Sequence, residues 1–241
     1  TWDVMACDKA ADRRTLMEKQ YGVIVTDDAG ETVKQCTALV LAVKPQDLDA
    51  LLAGVKSRFT AKHLLISIAA GKTLAAVKKA AGTRPRIVRV MPNLALMVGE
   101  GMSVYCAAKN ARAADRTLVA QIFGGAGAAL ELPEKHFDAV TALSGSGPAF
   151  IAYAAQAMIE GAVALKLPKD AARLLAEQTL VGTGVYLQNT GRDIAEFIQA
   201  VASPKGTTAA GLAVLEKSTV RAAYAKTLAA AAARSAELSR A

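Results

Sequence analysis

The segment Ala202-Ser203-Pro204-Lys205-Gly206-Thr207-Thr208 separates two apolar helical runs and opens the second, AAGLAVL. Serine, proline, glycine and threonine at a helix start either cap the helix with their own oxygens or leave its first N–H groups to hold an anion. On these residues alone both readings stand. Other short polar segments follow apolar runs of strand length. Asp8-Lys9 follows WDVMAC, Lys44-Pro45-Gln46 follows ALVLAV, Ala69-Ala70-Gly71 follows HLLISI, and Pro92-Asn93 follows RIVRVM. Open α/β sheets bind ligands at the carboxyl ends of their strands. Small residues and bare peptide groups there suit a flat ring lying against backbone, and a lysine there can pair with a phosphate or a ribose hydroxyl. Each segment also reads as an ordinary turn, with Lys44 snorkelling at the surface. His63 and His136 stand in no catalytic context and read as structural. No Ser-His-Asp order, metal-ligand spacing or carboxylate pair stands out.

The elements that must hold these residues follow from the hydrophobic pattern. Up to Pro133, apolar runs alternate with amphipathic stretches. Strands are expected at Trp2–Cys7, Val23–Val25, Ala38–Val43, His63–Ile68, Arg86–Met91, Met102–Ala107 and Ala128–Pro133. Helices are expected between them, including Ala10–Tyr21 closed by Gly22, Pro45–Arg58 and Arg112–Phe123. The fully apolar ALVLAV fits a strand buried on both faces. The pattern predicts a Rossmann-like, doubly wound α/β sheet over 1–133. From Glu134 onward every run is helical: Thr141–Lys166, Lys169–Gln188, Arg192–Ala202, Thr207–Lys217 and Ser218–Arg240. Residues 134–241 are therefore expected to form an all-helical dimerisation domain. Its run Phe150–Leu165 is apolar nearly all round yet carries Gln156 and Glu160, and is too short for a membrane span. Such a helix fits a core shared between subunits, which predicts a homo-oligomer.

Composition excludes several classes. The chain has 241 residues, 53% hydrophobic and 21% charged, with 29 basic against 21 acidic residues and a net charge of +8. The excess is scattered, with no basic run of five or more, so neither a nucleic-acid surface nor a membrane partner is expected. Anionic small ligands suit the charge better. Cys7, Cys36 and Cys106 are far apart and form no C-x-x-C pair, which points to a reducing, cytoplasmic setting and no structural zinc.

Six segments in order, AVKPQ (Ala42–Gln46), SIAAG (Ser67–Gly71), RVMPN (Arg89–Asn93), GEGM (Gly99–Met102), LSGSGPAF (Leu143–Phe150) and SPKGTT (Ser203–Thr208), give the chain a strong resemblance to the pyrroline-5-carboxylate reductases. The resemblance runs from about Val4 to the C-terminus. It implies hydride transfer from NADPH or NADH to the C=N carbon of pyrroline-5-carboxylate, giving proline, in a homodimer or an assembly of dimers. It places Ala42 among the cofactor-binding positions and puts Lys44 and Pro45 near the ribose and phosphates. Ala69, Ala70, Met91, Pro92 and Asn93 would line the nicotinamide side. The loop Ser203, Pro204, Lys205, Gly206, Thr207 and Thr208 would bind the substrate carboxylate through backbone N–H groups, with Thr208 as the catalytic hydroxyl on the ring nitrogen. Capping by Ser203 and Thr207 is compatible with that role. In LSGSGPAF, Ser146 and Gly147 suit a helix start and Pro148 its first turn, while the glycines permit a close approach.

The chain departs from the family pattern at several points. Ala95 stands where M-P-N-x-P has its second proline, Lys205 where S-P-G-G-T-T has a glycine, and Arg192 where T-G-E has its glutamate. Asp8 suits the acidic position about 20 residues beyond a G-x-G-x-x-G turn. The glycines would then precede Thr1, so the first βα unit is expected outside this sequence. Asp8 favours a ribose 2′-hydroxyl, as in NADH, whereas Lys9, Arg13 and Arg14 favour the 2′-phosphate of NADPH. The competing readings are a non-catalytic helical-dimer relative that has lost the cofactor, and a reductase of another cyclic imine.

Overall fold

A computed structural model describes residues 3–240. The chain divides into two compact units: residues 1–145 together with 231–241, and residues 146–230. The first unit thus runs past Pro133 to Gly145, and the chain's last turns return to it.

The first unit is built on two sheets. In one, β1 (Met5–Cys7) pairs in parallel with β2 (Ile24–Thr26) across α1 (Ala11–Tyr21). Trp2, the expected start of the first strand, lies outside the described residues. The larger sheet has the order β3-β4-β5-β6-β7: β3 (Ala38–Leu41), β4 (Leu64–Ser67), β5 (Arg86–Met91), β6 (Gly101–Ala107) and β7 (Gly127–Glu131). α2 (Ala29–Gln35) leads into β3, α3 (Pro45–Val55) joins β3 to β4, and α4 (Leu74–Ala81) joins β4 to β5. All of these strand pairs are parallel except β5 with β6. The reason is chain length. Residues 92–100 are too few for a parallel crossover, which needs about a dozen or more residues. They form a 3₁₀ turn, Leu94–Val98, and the chain doubles back. α5 (Ala113–Gly124) then carries β7 back parallel to β6. Among the described residues β1, β2, β3 and β7 each have one unpaired edge.

The inner strands β4 and β5 are buried on both faces, whereas β3, expected from ALVLAV to be buried on both, is an edge strand that buries Leu39 and Leu41 and leaves Val40 exposed. Leu41, Leu65 and Ile87 pack with Leu48, Leu52, Val55 and Val77 of α3 and α4. On the opposite face Leu64, Ile66, Val88, Val90 and Tyr105 pack with Val119 and Phe123 of α5. Adjacent strand residues thus point to opposite layers. His63 is structural, as its context suggests. It is buried, its Nδ1 accepts from the Thr60 N–H at 2.9 Å, and its Nε2 therefore donates to the Val33 carbonyl at 3.0 Å. The helix expected over Thr141–Lys166 does not begin as a plain α-helix. α6 (Phe137–Val140) runs into a π-helical turn, Thr141–Gly145, before the second unit begins.

The second unit holds α7 (Gly147–Ala164), α8 (Lys169–Thr190), α9 (Ile194–Val201), α10 (Thr207–Lys217) and the first half of α11 (Val220–Arg240). α7 packs on α8. Pro148 sits in the first turn of α7, where its missing N–H costs nothing. Ser146 is the N-cap but makes no side-chain cap bond. No described helix is long and apolar enough to cross a membrane.

Candidate active site

Parallel register brings the tips of β3, β4 and β5 to one edge of the larger sheet, because Leu41 pairs with Ser67 and Ser67 with Arg89. Ala42, Lys44, Pro45, Ala69, Ala70, Met91, Pro92 and Asn93 all lie just beyond those pairs or at the end of β5, so the sheet gathers them. Pro45 begins α3 and fixes Lys44 in extended backbone (φ −59°, ψ 146°) as its N-cap. The Lys44 side chain is exposed and has no ion-pair partner among the described residues. Ala69 is buried and Ala70 exposed, so the tip of β4 presents backbone and methyl groups. Gly71 takes φ +75°, a conformation L-residues rarely adopt, and an added Cβ would meet the Leu238 carbonyl oxygen at 3.2 Å.

Asn93 ties this edge together. Its Nδ2 donates to the Ser144 carbonyl at 3.3 Å and its Oδ1 accepts from the Met102 N–H at 3.2 Å. The π-helical turn that carries Ser144 is a feature often found at functional sites. Gly145, its last residue, leaves room for Met91: an added Cβ would stand 2.5 Å from Met91 Cε. Met91 is thus the group that approaches this glycine within the unit. The Ser144 hydroxyl is buried with no partner among the described residues.

Asp8 follows β1 in the two-stranded sheet. Its Oδ1 accepts from the Ala10 N–H at 2.9 Å. Arg14 donates to the carbonyls of Asp8 and Lys9 at 2.7 and 2.9 Å and lies 3.5 Å from Asp27, so it holds the turn rather than standing free. Lys9 and Arg13 are exposed without an ion-pair partner among the described residues.

The loop Ser203–Thr208 belongs to the second unit. Gly206 is the N-cap of α10, and no side chain caps that helix among the described residues. The expected capping by Ser203 and Thr207 is therefore absent. Ser203 instead packs under Gly206, its carbonyl accepting the Gly206 N–H at 2.9 Å. Lys205 takes φ +61°. Arg192 follows Gly191 and reaches Glu196 at 4.0 Å, while Asp193 caps α9.

Two ionic features escape the motif reading. Arg89, 4% exposed, donates to Glu134 Oε1 at 2.9 Å and lies 4.6 Å from the centre of the Phe137 ring. Arg86 pairs with Asp115 at 3.1 Å. The signal for both was the pair of arginines interrupting the apolar strand RIVRVM, since buried charges need partners. Opposite Arg89, burial pushes the Cys106 thiol up to about 12; the Glu134 carboxylate adds to this and Arg89 opposes it. A pocket of about 230 Å³ opens beside Cys106 and Glu134, away from the residues singled out by motif. No cluster that could hold a metal ion exists among the described residues.

Comparison with known proteins decides the family. A family model described as pyrroline-5-carboxylate reductase dimerisation matches residues 134–238. Another, described as NADP oxidoreductase, coenzyme F420-dependent, matches residues 2–71. A pyrroline-5-carboxylate reductase of Methanosarcina acetivorans is 40% identical over 92% of this chain and 82% of its own length. The chain belongs to the pyrroline-5-carboxylate reductase family. The Arabidopsis thaliana enzyme of that name is also 40% identical, over 94% of this chain and 82% of its own. Among solved structures, a pyrroline-5-carboxylate reductase from Coxiella burnetii superposes with a TM-score of 0.94 at 32% identity, covering 98% of this chain and 88% of that one. The Plasmodium falciparum enzyme, solved with NADP bound, gives a TM-score of 0.84 at 28% identity, covering 98% and 87%.

Proposed function

We propose that this protein reduces pyrroline-5-carboxylate to proline with NADPH or NADH, the last step of proline biosynthesis. The observation that carries the reading is the start of α10, where a helix whose first N–H groups no side chain caps has Thr208 in its first turn. Unpaired N–H groups and the positive end of the helix dipole favour a carboxylate. The Lys205 ammonium adds a second attraction. The Thr208 hydroxyl donates to the ring nitrogen and polarises the C=N bond, which makes its carbon electrophilic.

The strand tips fit a dinucleotide. The exposed Lys44, the methyl and backbone surface at Ala69 and Ala70, and the Met91-Pro92-Asn93 tip offer a cation and a flat, small-residue rest. Ala42, Lys44 and Pro45 would hold the ribose and phosphate region; Ala69, Ala70, Met91, Pro92 and Asn93 would hold the nicotinamide. When bound, the reduced nicotinamide supplies the hydride. With Arg14 engaged in the Asp8–Lys9 turn, Lys9 and Arg13 are the cations left for a 2′-phosphate, which puts NADPH ahead of NADH. The cytoplasmic setting belongs to the same reading, supported by three free cysteines.

Purified full-length protein given NADPH and pyrroline-5-carboxylate should consume the 340 nm absorbance at about 1–10³ turnovers per second. Folded protein that leaves the absorbance at background overturns the reading. The non-catalytic alternative is not favoured, because relatives carrying the reductase name match over more than nine-tenths of the chain. Its own test is calorimetric titration with NADPH, where tight binding dismisses it.

A further inference from the structure

Glu134 stands outside every motif that carries the proposed function, yet one of its oxygens joins two of the segments that function needs. Oε1 accepts from the Leu74 N–H at 2.8 Å and from Arg89 at 2.9 Å. Leu74 opens α4, three residues after Gly71. Arg89 lies two residues before Met91 on β5. The first N–H groups of a helix have no partner within it. Here Thr73 takes the Ala76 N–H at 3.1 Å and Glu134 takes that of Leu74, from sixty positions away in the chain. A carboxylate at a helix N-terminus is also favoured by the helix dipole.

We infer that Glu134 is a positioning residue for the cofactor: it locks the β4–α4 loop and the end of β5 into one relation, so that Ala69-Ala70 and Met91-Pro92-Asn93 form a single rigid rest for the nicotinamide. This rests on the proposed function. Arg89 has little freedom of its own, since its guanidinium is buried against the Phe137 ring and its partner is Glu134. Removal of the carboxylate leaves a buried cation and an unpartnered Leu74 N–H, one on each side of the rest, with the Thr73 cap still in place. Both then relax independently. The carboxyl-terminal turn of α11 supports the same loop from elsewhere, at Gly71, but offers no polar tie to β5.

The test is the dissociation constant of NADPH, read by calorimetry and therefore independent of turnover, together with both KM values. Glu134→Ala should weaken NADPH about tenfold, because the free protein must then spend binding energy on ordering the two tips. Its KM for pyrroline-5-carboxylate should stay within twofold. Glu134→Gln keeps an oxygen acceptor for both donors and should restore most of the affinity. Glu131→Gln removes a nearby carboxylate that pairs at the surface with Arg116, and should change neither constant. A purely structural role would lower the melting temperature and leave NADPH affinity alone. That outcome, or an equal rise in both KM values, overturns the inference. If Glu134→Ala does not fold, Glu134→Asp decides: the shorter side chain cannot reach both donors, and unchanged NADPH affinity again overturns the inference. Failure of the unmodified protein to bind NADPH counts against the proposed function itself, whereas normal binding with an unaffected Ala variant counts against Glu134 alone.

Discussion

The proposed function gives Thr208 and Lys205 separable roles in one loop. Thr208→Val keeps the shape of the side chain and deletes the proposed donor to the ring nitrogen. It should lower kcat by about 10²-fold or more with NADPH affinity unchanged, while Thr208→Ser keeps most of the rate. Lys205 sits at φ +61°, which costs an L-residue about 1 kcal/mol or more relative to glycine. Lys205→Gly relieves that strain, although glycine's freedom in the unfolded chain offsets part of the gain. The melting temperature should rise by a degree or more, and the KM for pyrroline-5-carboxylate should rise with it, because the ammonium is lost. A higher melting temperature with an unchanged KM would show that Lys205 plays no part in binding. Cys106 makes a third residue-level prediction. Its thiol is held neutral, with a folded value of about 12 against an ordinary 9.0. The folded state therefore keeps a proton that the unfolded state has lost between these values. The associated stability is complete below about pH 9 and falls as pH rises toward 12, with a slope of at most about 1.4 kcal/mol per pH unit. Melting temperatures measured from pH 8 to pH 11 should drop less steeply in Cys106→Ala than in the unmodified protein.

At the scale of elements, the site depends on junctions between them, and Gly71 is the sharpest. The loop it ends is packed by the last turn of α11, whose Leu238 carbonyl oxygen would lie 3.2 Å from a Cβ there. α11 is anchored by Ser235, which donates to Asp138 at 2.7 Å. Gly71→Ala adds a positive-φ cost and a tight backbone contact, its Cβ 3.2 Å from the Leu238 carbonyl oxygen. It should destabilise the protein by roughly 1–2 kcal/mol and raise the KM for NADPH more than that for the imine. An unchanged KM would mean that the β4–α4 loop does not touch the cofactor. These junctions also show where sequence reading stops. The strand in HLLISI was legible because burial on both faces writes a continuous apolar run, and ALVLAV carries the same signature although Val40 at the sheet edge stays exposed. The tips were legible because the chain must turn where those runs end. The reversal of β6 was not, since period and propensity say nothing of direction; only the short link at 92–100 implies it. The ties at Glu134 and Asn93 were illegible for a different reason, because each joins residues distant in sequence through a single side chain. The open start of α10 was half legible: its residues allow a cap, and the packing of Ser203 beneath Gly206 removes it.

At the scale of the molecule, the second unit cannot be the finished surface of an isolated chain. Tyr153 on α7 is 76% exposed, Leu174 and Val181 on α8 are 67% and 58% exposed, and Ile194 on α9 is 62% exposed. Scattered apolar side chains on a surface need no explanation, but whole helices that bury almost none of theirs do. The whole unit lies within residues 134–238, which match the dimerisation family model, so a second copy is the partner for these faces. Each large side chain buried there contributes roughly 1.5–3 kcal/mol. A charge at two of them, in Tyr153→Asp with Leu174→Asp, should therefore weaken association by at least about 10²-fold. Sedimentation velocity at micromolar concentration should show the unmodified protein as a dimer or larger and the double variant as a monomer. Because association stabilises only the folded chain, the melting temperature of the unmodified protein should rise with concentration, and that dependence should vanish in the variant. Unmodified protein that sediments as a monomer, with a melting temperature independent of concentration, would leave these helices without their partner and remove the shared core from this account.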